Sequence, residues 1–261
     1  MPSALLSLQQ CTVQFGGLTA VSKFDLEIGE NDLVGLIGPN GAGKTTVFNM
    51  VTGVYRPTSG TITFEGRPIA GLKPNVIAGR GIARTFQNIR LFPTLTVFDN
   101  VRAAFNRRLR HGLAHALWRM RAFYREEAEV AQQVKELLDI FGLSRFSDTL
   151  CGSMSYGDQR RLEIVRALAT KPELLLLDEP AAGMNPREKE ELMELIKFVK
   201  GKFEIAVLLV EHDMKVVMGI CERVTVLDYG VKIAEGTCAE IRANPKVIEA
   251  YLGAEAPPAS H

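Results

Sequence analysis

This sequence of 261 residues is short of cysteine, holds a single tryptophan, and has almost no excess charge of either sign. The four cysteines, Cys11, Cys151, Cys221 and Cys238, are too scattered for a zinc cluster or a disulfide framework. Lys+Arg number 31 and Asp+Glu 30, a formal net charge of +1, which argues against nucleic-acid binding through bulk charge. No apolar run approaches the roughly 18 residues of a membrane-spanning helix; the longest are Leu174–Leu177 and Ile205–Val210. Met1–Leu6 has no basic stretch ahead of a long apolar core, so no secretory signal is read. Hydrophobic residues at 46% and charged residues at 23% argue against global disorder, and the expectation is a soluble, intracellular, globular protein.

What is present is an alternation of strand and helix patterns. Leu5–Phe15 and Phe24–Ile28 read as strands, and Gly60–Gly66 alternates as an exposed-edge strand would. Leu33–Ile37 is an apolar strand feeding a glycine-rich loop and then a helix over Val47–Thr52. From about residue 90 to about 155 glycine becomes scarce. Val130, Val134, Leu137, Leu138 and Phe141 recur there at helical spacing, which reads as a helical insertion. Beyond it Leu162, Val165 and Ala169 share a helical face. Leu174–Leu177 and Ile205–Val210 read as buried strands around a helix at Glu188–Lys200, and Val224–Leu227 with Val231–Ala234 as a hairpin. A last helix over Pro245–Leu252 precedes a frayed tail from Ala254 to His261. The fold class is α/β: a mostly parallel core, an antiparallel β portion near the start and one helical insertion.

Gly38-Pro39-Asn40-Gly41-Ala42-Gly43-Lys44-Thr45 satisfies G-x-x-x-x-G-K-[ST], between an apolar strand and a helix, with Thr46 following. Glycines at 38, 41 and 43 let several backbone N–H groups converge on one anion, and the helix adds the positive end of its dipole. Lys44 can reach β- and γ-phosphates, and the Thr45 hydroxyl is placed to hold Mg²⁺. The chain therefore reads as binding a nucleoside triphosphate. The run Leu174–Leu177 ends in Asp178 and Glu179. A central parallel strand delivers such residues to the ligand crevice, where Asp178 can order the Mg²⁺ shell and Glu179 can orient or deprotonate a water.

With these motifs in this order, the chain resembles the ATP-binding subunits of ABC transporters over roughly residues 5–253, as one domain with a RecA-like parallel-sheet core. The resemblance implies roles for further residues. Gln87, in Arg84-Thr85-Phe86-Gln87-Asn88, matches the glutamine loop that ligates Mg²⁺ and senses the membrane subunit. Ser155-Tyr156-Gly157-Asp158-Gln159 occupies the signature loop, with Ser155 and Gly157 completing a γ-phosphate site on the nucleotide held by a partner subunit. Asn185 lies in the D-loop, and His212 matches the switch histidine. Phe15 stands where an aromatic residue stacks on adenine; by itself it reads equally as a core or strand-face aromatic. Asp158 replaces the glutamine common in the family, and a carboxylate turned outward from the phosphates is the expectation there.

The stretches Arg84–Phe92, Arg161–Arg166, Glu211–Lys215 and Asn244–Gly253 are similar to the branched-chain (hydrophobic) amino-acid uptake ATPases. That resemblance implies ATP and Mg²⁺ as cofactors, a second ATPase subunit in a homo- or heterodimer, integral-membrane permease subunits, and a solute-binding protein in the assembled transporter. It implies a place on the cytoplasmic face of the inner membrane and no nucleic-acid partner. Other solutes (urea or amides, carboxylic or aromatic acids, lipopolysaccharide export) and a soluble, non-transport ABC ATPase are the alternatives. Seven arginines and no acids lie between Arg102 and Arg125; the stretch reads as a solvated helix face, or as one facing lipid headgroups or a permease loop.

Overall fold

The computed structural model describes residues 4–105 and 121–255, with backbone alone for 121–123 and 252–255. Of the basic stretch Arg102–Arg125, residues 106–120 lie outside the described residues, as do 1–3 and 256–261, while Arg102 pairs with Glu127. The chain forms two compact units, Met1–Arg84 with Glu173–His261, and Thr85–Pro172.

The first unit holds two sheets. β1 (Leu6–Phe15), β2 (Leu18–Ile28), β4 (Ser59–Phe64) and β5 (Arg67–Pro68) form an antiparallel sheet in the order β2-β1-β4-β5. β4 is an exposed edge over Ser59–Thr61, as its alternation suggests, and β5, two residues long and half proline, covers only Thr63 and Phe64. β2 starts at Leu18, well before the expected Phe24, and pairs along β1 through several register shifts. The second sheet runs β10-β9-β3-β8-β7-β6, from β3 (Leu33–Ile37), β6 (Ile82–Arg84), β7 (Leu174–Asp178), β8 (Ala206–Val210), β9 (Arg223–Asp228) and β10 (Val231–Gly236). All its pairs are parallel except β9 with β10. β3, β7 and β8 are buried at every residue, which is why they read as unbroken apolar runs instead of alternating ones. One continuous apolar cluster joins the sheets through α1 (Lys44–Val51), whose Val47, Phe48, Met50 and Val51 are almost wholly buried. At about 25 cal/mol per Å² of apolar surface removed from water, such side chains contribute about 1.5–3 kcal/mol each.

Register sets the site. Leu36 of β3 pairs with Val210 of β8, and Asp178 of β7 pairs with the same Val210. Gly38, Glu179 and Glu211-His212 consequently leave neighbouring strands at one edge, the carboxyl edge where ligands bind in such sheets. Local signals start the helices that follow. After α2 (Pro74–Gly79), the helix over Pro186–Phe203 begins at Asn185, whose side chain accepts from the Glu188 N–H while Glu188 reaches back to the Asn185 N–H.

In the second unit α3 (Val97–Phe105) packs on α4 (Arg121–Ile140) and on α5 (Tyr156–Leu168). Val130, Val134, Leu137, Leu138 and Phe141 are buried, as their spacing predicts, and Leu162 and Val165 are fully enclosed on α5. Asn100, with no exposure, donates to the Phe92 carbonyl at 3.0 Å and accepts from its N–H at 2.8 Å, fixing the turn before α3. Past the second unit, α6 is the helix Pro186–Phe203, α7 is Met214–Ile220, α8 is Cys238–Ala243 and α9 is Pro245–Glu255. α8, a short helix on a Thr237–Glu240 capping box, has no counterpart among the expected elements, being too short to show a helical period. The last helix runs on through Glu255, beyond the expected Leu252.

Candidate functional site: a phosphate loop at the sheet edge

The loop between β3 and α1 is held from two sides. Gly38 has φ of +153°, and a Cβ there would stand 2.0 Å from the Leu227 carbonyl oxygen of β9. Gly43 has φ of +104° and its Cβ would stand 2.7 Å from the Ala20 carbonyl oxygen, so no side chain fits at either position. The Ala42 carbonyl accepts from the Gly230 N–H of the β9–β10 turn at 2.9 Å, and the Gly230 carbonyl accepts from Ser22 of β2 at 2.8 Å. The Ala42 N–H turns inward to the Pro39 carbonyl at 3.1 Å. Asn40, Gly41 and Thr45 are exposed, and Pro39 and Thr46 half-buried.

Lys44 opens α1 and is nearly buried. Its Nζ donates to the Gly38 and Pro39 carbonyls at 2.7 and 2.9 Å, curling back over the loop. Burial pushes its ammonium below the usual lysine range, and the carboxylates of Glu179 and Asp178 partly restore it. Asp178, at the end of β7, is buried and paired with Arg84 at 2.7 Å. Arg84 also donates to Asn49 of α1 at 2.8 Å, so β6, β7 and α1 are tied together at this corner. No local pattern in the sequence points to this role for Arg84.

Glu179 has φ of +46°, a left-handed conformation that carries strain for a residue with a side chain. Its N–H donates to the Val210 carbonyl at 2.9 Å. His212, half exposed, places Nδ1 3.7 Å from Glu179 Oε2. The first unit thus brings together the loop 38–46, Asp178, Glu179 and His212. Phe15, at the end of β1, is exposed over 45% of its surface and meets the Tyr55 ring edge-to-face at 5.0 Å between centroids. It is not a core residue.

Gln87, Ser155 and Gly157 belong to the second unit. Ser155 caps α5 by accepting from the Asp158 N–H at 3.2 Å. Its hydroxyl donates to the Asp158 carboxylate at 2.7 Å. The Asp158 carboxylate folds back onto the cap, where a hydrogen bond adds to the favourable helix dipole. The exposed Gln87 has its backbone carbonyl bound by Arg160 of α5.

Glycine-rich loop, acidic strand end and histidine, each leaving a neighbouring parallel strand at one edge, define a P-loop nucleoside triphosphatase. Comparison with known proteins then narrows the class. Residues 21–182 match the family described as "ABC transporter", and residues 231–257 match one described as "Branched-chain amino acid ATP-binding cassette transporter". A high-affinity branched-chain amino acid transport ATP-binding protein, LivG, of Salmonella typhimurium is 48% identical, over 97% of this chain and 99% of its own. BraF of Pseudomonas aeruginosa, a protein of the same description, is 45% identical over the same shares. The crystal structure of the ADP conformation of MJ1267, an ATP-binding cassette of an ABC transporter, superposes with a TM-score of 0.84 at 29% identity, covering 96% of this chain and 99% of that one. The chain belongs to the ABC transporter family. It is an ATP-binding ATPase whose hydrolysis is coupled to transport, and as such it works as a dimer with membrane permease subunits.

Proposed function

We propose that this chain is the energy-coupling ATPase of a bacterial importer for branched-chain or other hydrophobic amino acids, with residues 1–253 working as one ATPase domain. The observation that carries the chemistry is the 3.7 Å approach of His212 to Glu179 beside a phosphate loop. The solute class is supported by end-to-end similarity to branched-chain amino-acid transport proteins and by the match at residues 231–257.

In this reading the loop 38–46 holds the phosphates through backbone N–H groups other than that of Ala42, which bonds within the loop, and phosphate oxygens replace the Gly38 and Pro39 carbonyls as partners of Lys44. Glu179 orients the attacking water, and His212 holds Glu179 and the reacting end of the nucleotide in register. Phe15, exposed and braced by Tyr55, offers its face to adenine. Ser155 and Gly157 act on the nucleotide bound by a second ATPase subunit. Among the described residues no group of three or more His, Cys, Asp or Glu is placed to hold a metal ion. One carboxylate, Asp178, and one exposed hydroxyl, Thr45, suit Mg²⁺, which takes few protein oxygens and completes its shell with water and phosphate. Asp178 would hold it through water; for Gln87 a ligand role is what the resemblance to the family implies. Bound there, Mg²⁺ would neutralise charge on the phosphates.

Among the described residues no helix is long and apolar enough to cross a membrane. The chain's likeness to transporter ATP-binding proteins supports a peripheral place at the cytoplasmic face of the inner membrane, held by the permease, with the solute-binding protein reached only through the assembled transporter. Phe92, Leu95 and Leu150, exposed on the second unit around the turn fixed by Asn100, offer an apolar face for a permease loop. The test is uptake of labelled leucine, isoleucine and valine by cells lacking this chain. Uptake is expected to return with the wild-type chain and not with Glu179→Gln; normal uptake without the chain contradicts the assignment.

A further inference from the structure

Glu211 follows β8, has no solvent exposure, and carries three backbone hydrogen bonds on one carboxylate. One oxygen accepts from the Ala181 N–H at 2.7 Å. The other accepts from the N–H groups of His212 at 3.2 Å and Asp213 at 3.4 Å, and lies 4.0 Å from His212 Nδ1. A carboxylate bound only by neutral donors is a costly way to satisfy three amides, since desolvation disfavours its charge. Burial does push the Glu211 carboxyl above its usual range, and the N–H bonds and His212 only partly offset this.

What the carboxylate joins is informative. Ala181 is two residues past Glu179, and His212 is the next residue along from Glu211. The left-handed backbone at Glu179 persists only if its surroundings over-determine it. The Val210 carbonyl holds the turn on one side through the Glu179 N–H, and Glu211 holds it on the other through Ala181. We propose that Glu211 is a positioning residue, locking the Glu179–Ala181 turn to the His212–Asp213 turn so that Glu179 and His212 address one water together. This rests on the roles given above to Glu179 and His212. A glutamine has the same size but can offer only one acceptor oxygen, so its NH₂ must face N–H donors of one turn and release it.

The test is steady-state ATP hydrolysis by the assembled transporter carrying Glu211→Gln, His212→Ala, both together, or Glu179→Gln. Glu211→Gln is expected to lower kcat at least about fivefold with KM for ATP within about threefold, the signature of an interaction used in the transition state. Placed on His212→Ala, it should lower kcat by less than about twofold more, because the two residues act as one unit. A smaller loss in the single variant, a loss that multiplies fully in the double, a KM effect alone, or a glutamine variant that does not fold would each overturn the proposal. Full turnover by His212→Ala and Glu179→Gln would instead reject the reading of the site itself.

Discussion

Arg160 and Glu163, one turn apart on α5, meet at 3.0 Å with side chains 3% and 4% exposed. Arg160 donates to the Phe86 carbonyl at 2.6 Å, to the Gln87 carbonyl, and to the Tyr156 hydroxyl at 3.0 Å. The other Glu163 oxygen accepts from the N–H groups of Phe86 and Arg90 at 3.3 and 3.4 Å. The pair fastens the segment bearing Gln87 to the helix capped by Ser155. Removing one member, as in Arg160→Leu or Glu163→Leu, strands the other charge and should cost about 3–5 kcal/mol. The double variant should cost less than the two losses added, which urea unfolding midpoints will show. Strictly additive losses would mean that the two side chains act separately.

Gly38→Ala should fail as a nucleotide-binding protein. Its Cβ would meet the Leu227 carbonyl oxygen at 2.0 Å, and that oxygen belongs to a buried strand which cannot yield. A loss above about 2 kcal/mol in stability is expected together with loss of ATP binding. Fluorescent-nucleotide titration and thermal unfolding on the same sample would check both.

Asp158 holds the hydroxyl that Ser155 would offer to a γ-phosphate. Asp158→Gln removes a charge and frees that hydroxyl, so ATP hydrolysis by the assembled transporter should rise about two- to tenfold at low salt. The gain should shrink as salt screens the charge, the Debye length being about 10 Å at 0.1 M and about 3 Å at 1 M. Unchanged activity at both salt concentrations would leave Asp158 as part of a helix cap alone.

Asp213 caps α7 by accepting from Lys215 and Val216, and its pairing with Lys189 at 2.6 Å holds its carboxyl below the usual range. A depressed carboxyl stabilises the folded state above its unfolded pKa, about 3.9, and that stabilisation is lost as pH falls through the lowered folded value. Asp213→Ala should therefore cost about 1 kcal/mol at pH 7 and the same at pH 5. The difference from wild type should close only below about pH 4, which urea midpoints across that range would reveal.

Much of this was legible in the sequence because single elements carried their own signal. The apolar runs 33–37, 174–177 and 205–210 became the buried parallel strands, and the ordered motifs pointed to the loop 38–46 and the pair Asp178–Glu179, which the fold sets at one sheet edge. Long-range partnerships were not legible. Nothing local says that Glu211 bonds Ala181, that Arg84 holds Asp178, or that Arg160 reaches back to Gln87 across about seventy residues of chain. These depend on strand order and helix docking, which periodicity does not encode. The two-residue strand β5 on the end of β4 was not legible either, being too short to show a pattern. Asn185-Pro186-Arg187-Glu188 was a missed local signal: Asn, then Pro at the first helical position, then Glu at the third is a capping box.

The central claim, that Glu179 prepares the water for attack on ATP bound by the 38–46 loop, is tested most directly by single-turnover hydrolysis in the assembled transporter. Glu179→Gln should bind ATP within about threefold of wild type yet hydrolyse it about 10²–10⁴-fold more slowly, while Lys44→Ala should lose binding itself. Glu179→Gln turning over ATP at the wild-type rate would contradict the account.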